Sequence, residues 1–158
     1  MKVMRKFLIS VFLFAASASA LLQTSCTPGS CFEETNAFVK ATFYLSTSLK
    51  ADAPDSISVY GAGRDTSFIY YKSRNVNQAL LPLDASKEGC SLVIRINGVN
   101  DTISFVYSTT DHMISKECGY TFYHTIEAPS FTTNIIDTVT VVKYTITTLS
   151  EENIRIYY

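Results

Sequence analysis

Three residues near the middle of the chain have the types used in nucleophilic catalysis: Asp111, His112 and Ser115. A serine becomes a nucleophile when a histidine removes its proton and a carboxylate orients that histidine, so the three side chains must meet in space. Here the three residues fall in one short predicted loop, and this spacing does not establish such a geometry. We interpret the segment as a solvated loop, and the sequence predicts no catalytic residue.

Metal and phosphate sites are equally weakly indicated. Zinc sites use closely spaced ligand pairs, and no two of the four cysteines stand two residues apart. The glycine-rich Gly61-Ala62-Gly63 is followed by a predicted strand, whereas a phosphate cradle requires a helix N-terminus there. His124 alternates with Phe122 and Ile126 on one predicted strand face, as is typical of a hydrogen-bonded, partly buried histidine. We therefore expect no metal, no cofactor and no enzymatic activity.

Tyrosines give the clearest indication of a binding surface. The chain has 10 tyrosines and no tryptophan. A tyrosine combines an apolar ring with a polar hydroxyl and is common where a surface binds a partner. The adjacent pairs Tyr70-Tyr71 and Tyr157-Tyr158 are the candidates, although tyrosine is also common in ordinary strands.

The first 25 residues have the three parts of a bacterial secretory signal. Basic residues up to Lys6 precede an apolar run over 7–16, and small residues follow. A membrane span needs about 20 apolar residues, which is more than this run supplies. The segment is therefore predicted to be a signal peptide.

Two cleavage sites are compatible with this signal. Ala18-Ser19-Ala20 fits an ordinary site that would release a soluble, secreted protein. Residues 21–26 instead resemble the lipobox of bacterial lipoproteins, with Gln23 as a departure from it. We favour the lipobox, which makes 1–25 the signal peptide and Cys26 the acylated residue. Acyl chains contribute about 0.8 kcal/mol per buried methylene and would hold the protein on a membrane.

The residues after Cys26 bear on which membrane and which face. Thr27 stands where an aspartate would retain a lipoprotein in the inner membrane, so the outer membrane is favoured. The acidic cluster that accompanies surface display is missing directly after Cys26, because Glu33-Glu34 lies further along. We expect the periplasmic face, with the cell surface or secretion as alternatives.

The charge of the mature chain argues against nucleic acid as a partner. Removing the three basic residues of the leader from the 13 in the chain leaves 10 against 14 acidic residues, a net charge of −4. Nucleic acid binding requires a clustered basic face.

Residues 26–36 are predicted to be a lipidated tether and residues 37–158 a single β domain. The clearest element is a β-hairpin, because apolar residues alternate over 91–96 and again over 102–107. Between them, residues 97–101 include asparagine and glycine, which tolerate positive φ. The residues predicted to face the core are Leu92, Ile94, Ile96, Ile103, Phe105 and Tyr107.

Further strands are predicted over 37–45, 56–60, 68–71, 75–83, 120–126, 135–148 and 154–158. Pro82 indicates that 75–83 is an edge strand, because proline has no main-chain N–H to donate to a neighbouring strand. No substantial helix with start and stop signals follows the signal peptide. About eight short strands indicate a mostly-β fold, a single antiparallel β-sandwich of immunoglobulin-like or jelly-roll-like type. A partly open barrel is the alternative.

Several motifs recur in a fixed order that resembles the small lipoproteins of Bacteroidetes grouped as domain-of-unknown-function family 6452. Beside the lipobox cysteine, they are Cys31, Leu81-Pro82-Leu83, Asn100–Tyr107, Ser115–Gly119 and Asn153–Tyr158. The resemblance implies an envelope lipoprotein of β type. It implies no substrate, because the family has no assigned activity.

The resemblance also implies a disulfide between Cys31 and Cys118, with Cys90 as a buried free thiol. Pairing is expected in an oxidising compartment. A Cys90–Cys118 bond stays open, because the hairpin brings Cys90 back towards the segment that leads into Cys118.

Two functions are consistent with these features. The preferred one is a non-enzymatic envelope lipoprotein, held by its lipid anchor at the outer membrane and acting as an interaction or accessory module for an unknown envelope protein. The alternative is a lipoprotein that binds a ligand or glycan through a tyrosine surface.

Overall fold

The computed structural model describes residues 31–158. The chain divides into two compact units, Met1–Phe32 and Glu33–Tyr158, and all the strands named below lie in the second. The predicted signal peptide, the acylated Cys26 and the start of the tether lie outside the described residues.

Residues 33–158 form two β-sheets, and the described residues contain no helix. The strands are β1 (Phe38–Tyr44), β2 (Ile57–Gly61), β3 (Phe68–Ser73), β4 (Gln78–Pro82), β5 (Gly89–Ile96), β6 (Val99–Ser115), β7 (Gly119–Ile126), β8 (Ser130–Phe131), β9 (Thr138–Val141), β10 (Thr145–Ile146) and β11 (Ile154–Tyr157). A seven-stranded sheet has the order β10-β7-β6-β5-β2-β3, and β8 pairs with β6 beside that path. A four-stranded sheet has the order β4-β1-β11-β9. The prediction of a mostly-β sandwich is confirmed.

The central hairpin forms as predicted. Asn97 and Gly98 have φ values of 49° and 90°, and Ile96 pairs with Val99 across this two-residue turn. Positive φ at both turn residues matches the right-handed twist of the flanking strands. All six residues predicted to face the core from β5 and β6 are buried.

The core consists of side chains from both sheets. Alternate residues of a strand point to one face, so each sheet contributes one apolar face to it. The largest fully buried side chains are Phe43, Phe105, Ile57, Leu81, Ile94, Ile96, Ile103, Ile126, Ile136, Ile146, Ile154 and Ile156.

Three details of the predicted strands are wrong. The structure has eleven strands in its described part instead of about eight, and β1 pairs with β11 in parallel. The run 135–148 is not one strand: β9 pairs with β11 in the four-stranded sheet, and β10 pairs with β7 in the other. A run of β-branched residues predicts strand but not the sheet to which the strand belongs, because both sheets accept the same residue types.

A buried carboxylate on β6, that of Asp101, lies at the centre of a hydrogen-bond network. Its Oδ1 atom accepts hydrogen bonds from the Thr132 hydroxyl, the Asn134 main-chain amide at 2.9 Å and the Asn134 side-chain amide at 3.0 Å. Its Oδ2 atom accepts from the amides of Ile135 at 2.7 Å and Ile136 at 2.8 Å. Five donors therefore converge on one side chain.

These hydrogen bonds hold the chain where it passes from one sheet to the other. The segment 132–136 follows β8, which pairs with β6, and precedes β9, which pairs with β11. Burial alone raises the pKa of Asp101, but the hydrogen bonds outweigh it and leave the pKa below the usual value for aspartate. Asp101 is thus an ionised carboxylate that anchors segment 132–136 between the two sheets.

Asp101→Asn should lower the free energy of unfolding by about 3 kcal/mol at pH 7, because an amide nitrogen would face donors that now meet an oxygen. Urea unfolding measures this value. Asp111→Asn, an exposed position on the same strand, is the control and should change it by less than about 0.5 kcal/mol.

The Asp101 carboxylate also predicts how the stability of the protein depends on pH. Because the folded-state pKa of Asp101 is depressed, its contribution is present above the unfolded pKa of about 3.9 and is lost as pH falls through the folded pKa. The stability difference between wild type and Asp101→Asn should therefore shrink in acid. Equal stabilities of the two proteins at pH 7 would contradict the account.

Candidate binding surface

The two tyrosine pairs predicted as binding candidates lie on different sheets. Tyr70-Tyr71 belongs to β3 of the seven-stranded sheet, and Tyr157-Tyr158 lies at the end of β11 in the four-stranded sheet. Tyr71 is 61% exposed, whereas the Tyr70 hydroxyl accepts a hydrogen bond from the Leu80 amide at 3.0 Å. Tyr70 therefore links β3 to β4.

The second pair packs within the domain. The Tyr157 ring lies 5.3 Å from the Tyr44 ring, and the Arg155 guanidinium lies 5.3 Å from the Tyr44 ring centroid. The Tyr158 ring meets Phe43 edge-on at 6.3 Å between centroids. These contacts account for both tyrosines without a ligand.

A cluster of side chains at β2 and β3 surrounds the predicted candidate Tyr71, and we call it the aromatic corner. It consists of Tyr60, Phe68, Ile69, Tyr71 and Lys72. Ring centroids are 5.2 Å apart between Tyr60 and Phe68 and 4.7 Å apart between Phe68 and Tyr71. Tyr60 is buried, but Phe68 and Ile69 are 37% and 39% exposed. The Lys72 Nζ atom lies 5.4 Å from the Tyr71 ring centroid, within cation–π range.

The aromatic corner lies in a locally basic part of an acidic domain. Arg64, Lys72 and Arg74 are exposed within eleven residues, and Asp65 is the one acidic residue among them. None of the salt bridges in the described residues uses these three cations. A partner that presents apolar and anionic groups together matches this surface.

A cleft of about 760 Å³ adjoins the corner and shares two residues with it and its charged flank, Ile69 and Arg64. Lys87 and Cys90 also line the cleft. Lys87 forms a salt bridge of 3.2 Å with Asp84. Asp84 lines the cleft as well, so Arg64 is the cation of this lining that forms no salt bridge within the described residues.

The cysteines fall into two states. Cys31 and Cys118 are each disulfide-bonded, whereas Cys90 is a free thiol, which rules out the alternative Cys90–Cys118 bond. The pairing of Cys31 with Cys118 stays a prediction. Burial raises the pKa of the Cys90 thiol, and burial likewise raises the pKa of the neighbouring Tyr107 hydroxyl to about 12. At neutral pH, Cys90 is therefore a protonated, weakly reactive thiol.

The segment with Asp111 and His112 is not a loop, which corrects the sequence interpretation. Both residues belong to β6, which continues to Ser115 in pairing with β7. His112 stacks on Tyr123 at 4.0 Å between ring centroids, and the Ser115 hydroxyl accepts a hydrogen bond from the Cys118 amide at 3.0 Å. No hydrogen bond of the described residues joins the three side chains into a catalytic triad. Both faces of the strand are polar here, so the alternation that marks a strand is missing from the sequence.

His124 is a buried, hydrogen-bonded histidine. Its Nδ1 atom lies 2.9 Å from the Thr109 hydroxyl, and burial lowers its pKa. Ile126 shares its buried environment, but Phe122 does not, because Phe122 is about half exposed. All three residues occupy alternate positions of β7, and the prediction of a hydrogen-bonded histidine here is confirmed.

No group of three or more histidine, cysteine, aspartate or glutamate side chains among the described residues is placed to hold a metal ion. No helix in this part of the chain is long and apolar enough to cross a membrane.

Two important residues were missed by the sequence interpretation. Phe68 lies in the predicted aromatic strand, two residues before the Tyr70-Tyr71 pair, and the density of aromatic residues over 68–71 is the signal that points to it. Asp101 falls in the predicted hairpin turn, where aspartate is ordinary. Its five donors come from residues about thirty positions away, and no local signal reveals them.

Fold and surface together define a small β-sandwich domain that exposes an aromatic, basic corner and contains no assembled catalytic group in the described residues. The chain belongs to a family of unknown function, DUF6452, whose model matches residues 56–158. No curated protein and no solved structure matches the chain.

Proposed function

We propose that this protein is a lipid-anchored protein of the bacterial envelope, in keeping with the resemblance to Bacteroidetes lipoproteins. Its β domain acts as a non-enzymatic interaction module. It binds another envelope component through the aromatic corner, and it resides at the outer membrane, on the periplasmic face.

The observation that supports binding at the corner is the exposure of Phe68 and Tyr71 on a shared aromatic cluster. Aromatic residues dominate the energy of many interfaces when they lie together and become desolvated. Here the buried Tyr60 lies directly opposite Phe68 on the neighbouring strand and packs edge-on against its ring, which restricts the exposed ring. A partner would therefore meet rings that lose little conformational freedom on binding.

The support for anchoring comes from the leader sequence. Thr24 and Ser25 precede Cys26 as in a lipobox, after an apolar run too short to span a membrane. A diacylated cysteine would hold the domain on the membrane surface, and a tether to residue 36 would separate the two.

Acylation predicts that an alkyne-tagged fatty acid labels the wild-type protein and fails to label Cys26→Ala. The reason is that the cysteine sulfur is the attachment site for the diacylglyceryl group. Labelled protein is detected in a gel after coupling to a dye. Equal labelling of both proteins, or a mature N-terminus at Leu21, would show that the ordinary cleavage site is used.

Binding at the corner predicts that a photo-crosslinking amino acid placed at Tyr71 captures a discrete partner in intact cells. Tyr120 is the matched control, because it is 72% exposed and lies on β7, outside the corner. A specific adduct at Tyr71, absent from Tyr120, is expected. Phe68→Ala should reduce binding of the captured partner at least tenfold. The same adducts at both positions, or none at Tyr71, would refute the proposal.

The second candidate function is binding of an anionic glycan, favoured by the cleft that shares Arg64 and Ile69 with the corner and its basic flank. The same crosslinking experiment separates the two. A protein adduct supports the interaction module, whereas a polysaccharide adduct that requires Arg64 supports the glycan-binding protein.

A further inference from the structure

Along its main strand order each sheet ends in two edge strands, and three of these four edges are protected against further pairing; β8, with two residues, is a further short edge beside β6. An edge strand exposes unpaired N–H and C=O groups, and proteins shield them with bulges, lysine, proline, short length or a covering element. The edges are β3 and β10 in the seven-stranded sheet and β4 and β9 in the four-stranded sheet.

The protective features differ between the three edges. β3 contains two irregularities in its pairing with β2 and carries Lys72. β4 ends in Pro82, as predicted for this edge, and the Tyr70 hydroxyl covers its Leu80 amide. β10 has two residues.

Among the described residues, β9 has no bulge, no lysine, no proline and no hydrogen bond that covers its outer side, and it is twice as long as β10. Its sequence is Thr138-Val139-Thr140-Val141, and it pairs with β11 in unbroken register. The strand contains no charge and no proline, and β-branched residues favour pairing. It is therefore the least protected edge within residues 31–158.

The hydrogen bonds show which main-chain groups of β9 face outward. The Val142 amide donates to the Asn153 carbonyl at 2.8 Å, towards the β11 side. Because alternate residues of an antiparallel ladder point to the same neighbour, Thr140 and Thr138 also face β11. Val139 and Val141 then face away, and no hydrogen bond outside the strand ladders uses their main chains in the described residues.

We propose that two copies of this chain pair antiparallel along β9, about a two-fold axis at Thr140. Val139 of each copy then lies opposite Val141 of the other, and these outward-facing residues exchange four main-chain hydrogen bonds. The two four-stranded sheets become one continuous sheet of eight strands. The partner is a second copy of this chain, because the edge is complementary to itself in this register.

Side chains fit the same register. Val139 and Val141 both pack against the core, so their pairing extends one apolar face across the axis. The exposed Val142 lies opposite Thr138. At each end Asp137 comes opposite Lys143, which also binds Glu151 of its own chain. Opposite charges across a strand pair are favourable, whereas like charges are not.

A dimer with its two-fold axis at Val139 would be less complementary than one with its axis at Thr140. With the axis at Val139, the outward groups would form one central hydrogen-bonded pair, and Asp137 would be brought opposite Val141. The Asp137 amide already donates to the Tyr157 carbonyl at 2.8 Å and is not available to a second chain. The axis at Thr140 uses every outward group of Val139 and Val141.

Sedimentation of the full chain in detergent tests the association. An interface of one short edge is small, so we expect a monomer–dimer equilibrium between about 10 µM and 1 mM. Thr140→Lys should abolish the dimer, because two ammonium groups would meet at the axis. Thr110→Lys, an exposed threonine of β6, adds the same charge elsewhere and should leave the dimer unchanged.

Crosslinking tests the register without relying on stability. In a Cys90→Ser background, Thr140→Cys should form an intermolecular disulfide, because directly opposed residues have Cα atoms about 4.5 Å apart. Thr138→Cys should not, because the two positions lie four residues apart, or about 13 Å. A monomer throughout the concentration range, a dimer that survives Thr140→Lys, or equal crosslinking at both positions would overturn the proposal. A different chain found on this edge would also overturn it.

Discussion

The sandwich depends on the ionised Asp101 carboxylate holding the segment that crosses between its sheets. A buried charge is costly unless its oxygens are fully hydrogen-bonded, and here five donors from residues 132–136 supply those bonds. The same bonds place Ile136 in the core and start β9 beside β11. One side chain of the seven-stranded sheet therefore sets the position of an edge strand in the other sheet.

A second buried polar residue, Asn153, fixes the position of the last strand. Asn153 precedes β11, and its Oδ1 atom accepts a hydrogen bond from the Lys40 amide at 2.9 Å while its own amide donates to the Lys40 carbonyl at 2.9 Å. Its side-chain amide donates to the Thr145 carbonyl at 3.2 Å. The asparagine thus holds β1, the start of β11 and β10 together, where a parallel pair of strands has no hairpin to set its register.

The sequence predicts what is local and misses what is distant. The β5–β6 hairpin could be predicted with its turn and its core face, because alternation and the Asn97-Gly98 pair act over a few residues. The division of 135–148 between two sheets could not be predicted, because it depends on Asp101 and Asn153, whose partners are far away in the chain. The aromatic corner likewise combines a local feature that could be predicted with a distant one that could not. Tyr71 was identified from its type, but its ring cluster with Tyr60 and Phe68 depends on how β2 pairs with β3.

Amide hydrogen exchange at Ile135 and Ile136 is the most direct measurement of the Asp101 anchor. If the carboxylate holds the crossing segment in the folded protein, both amides exchange only when the domain unfolds globally, at a rate set by its full stability. Thr133, exposed in the same segment, should exchange far faster and is the internal reference. Exchange of Ile135 and Ile136 as fast as that of Thr133 at neutral pH would contradict the account.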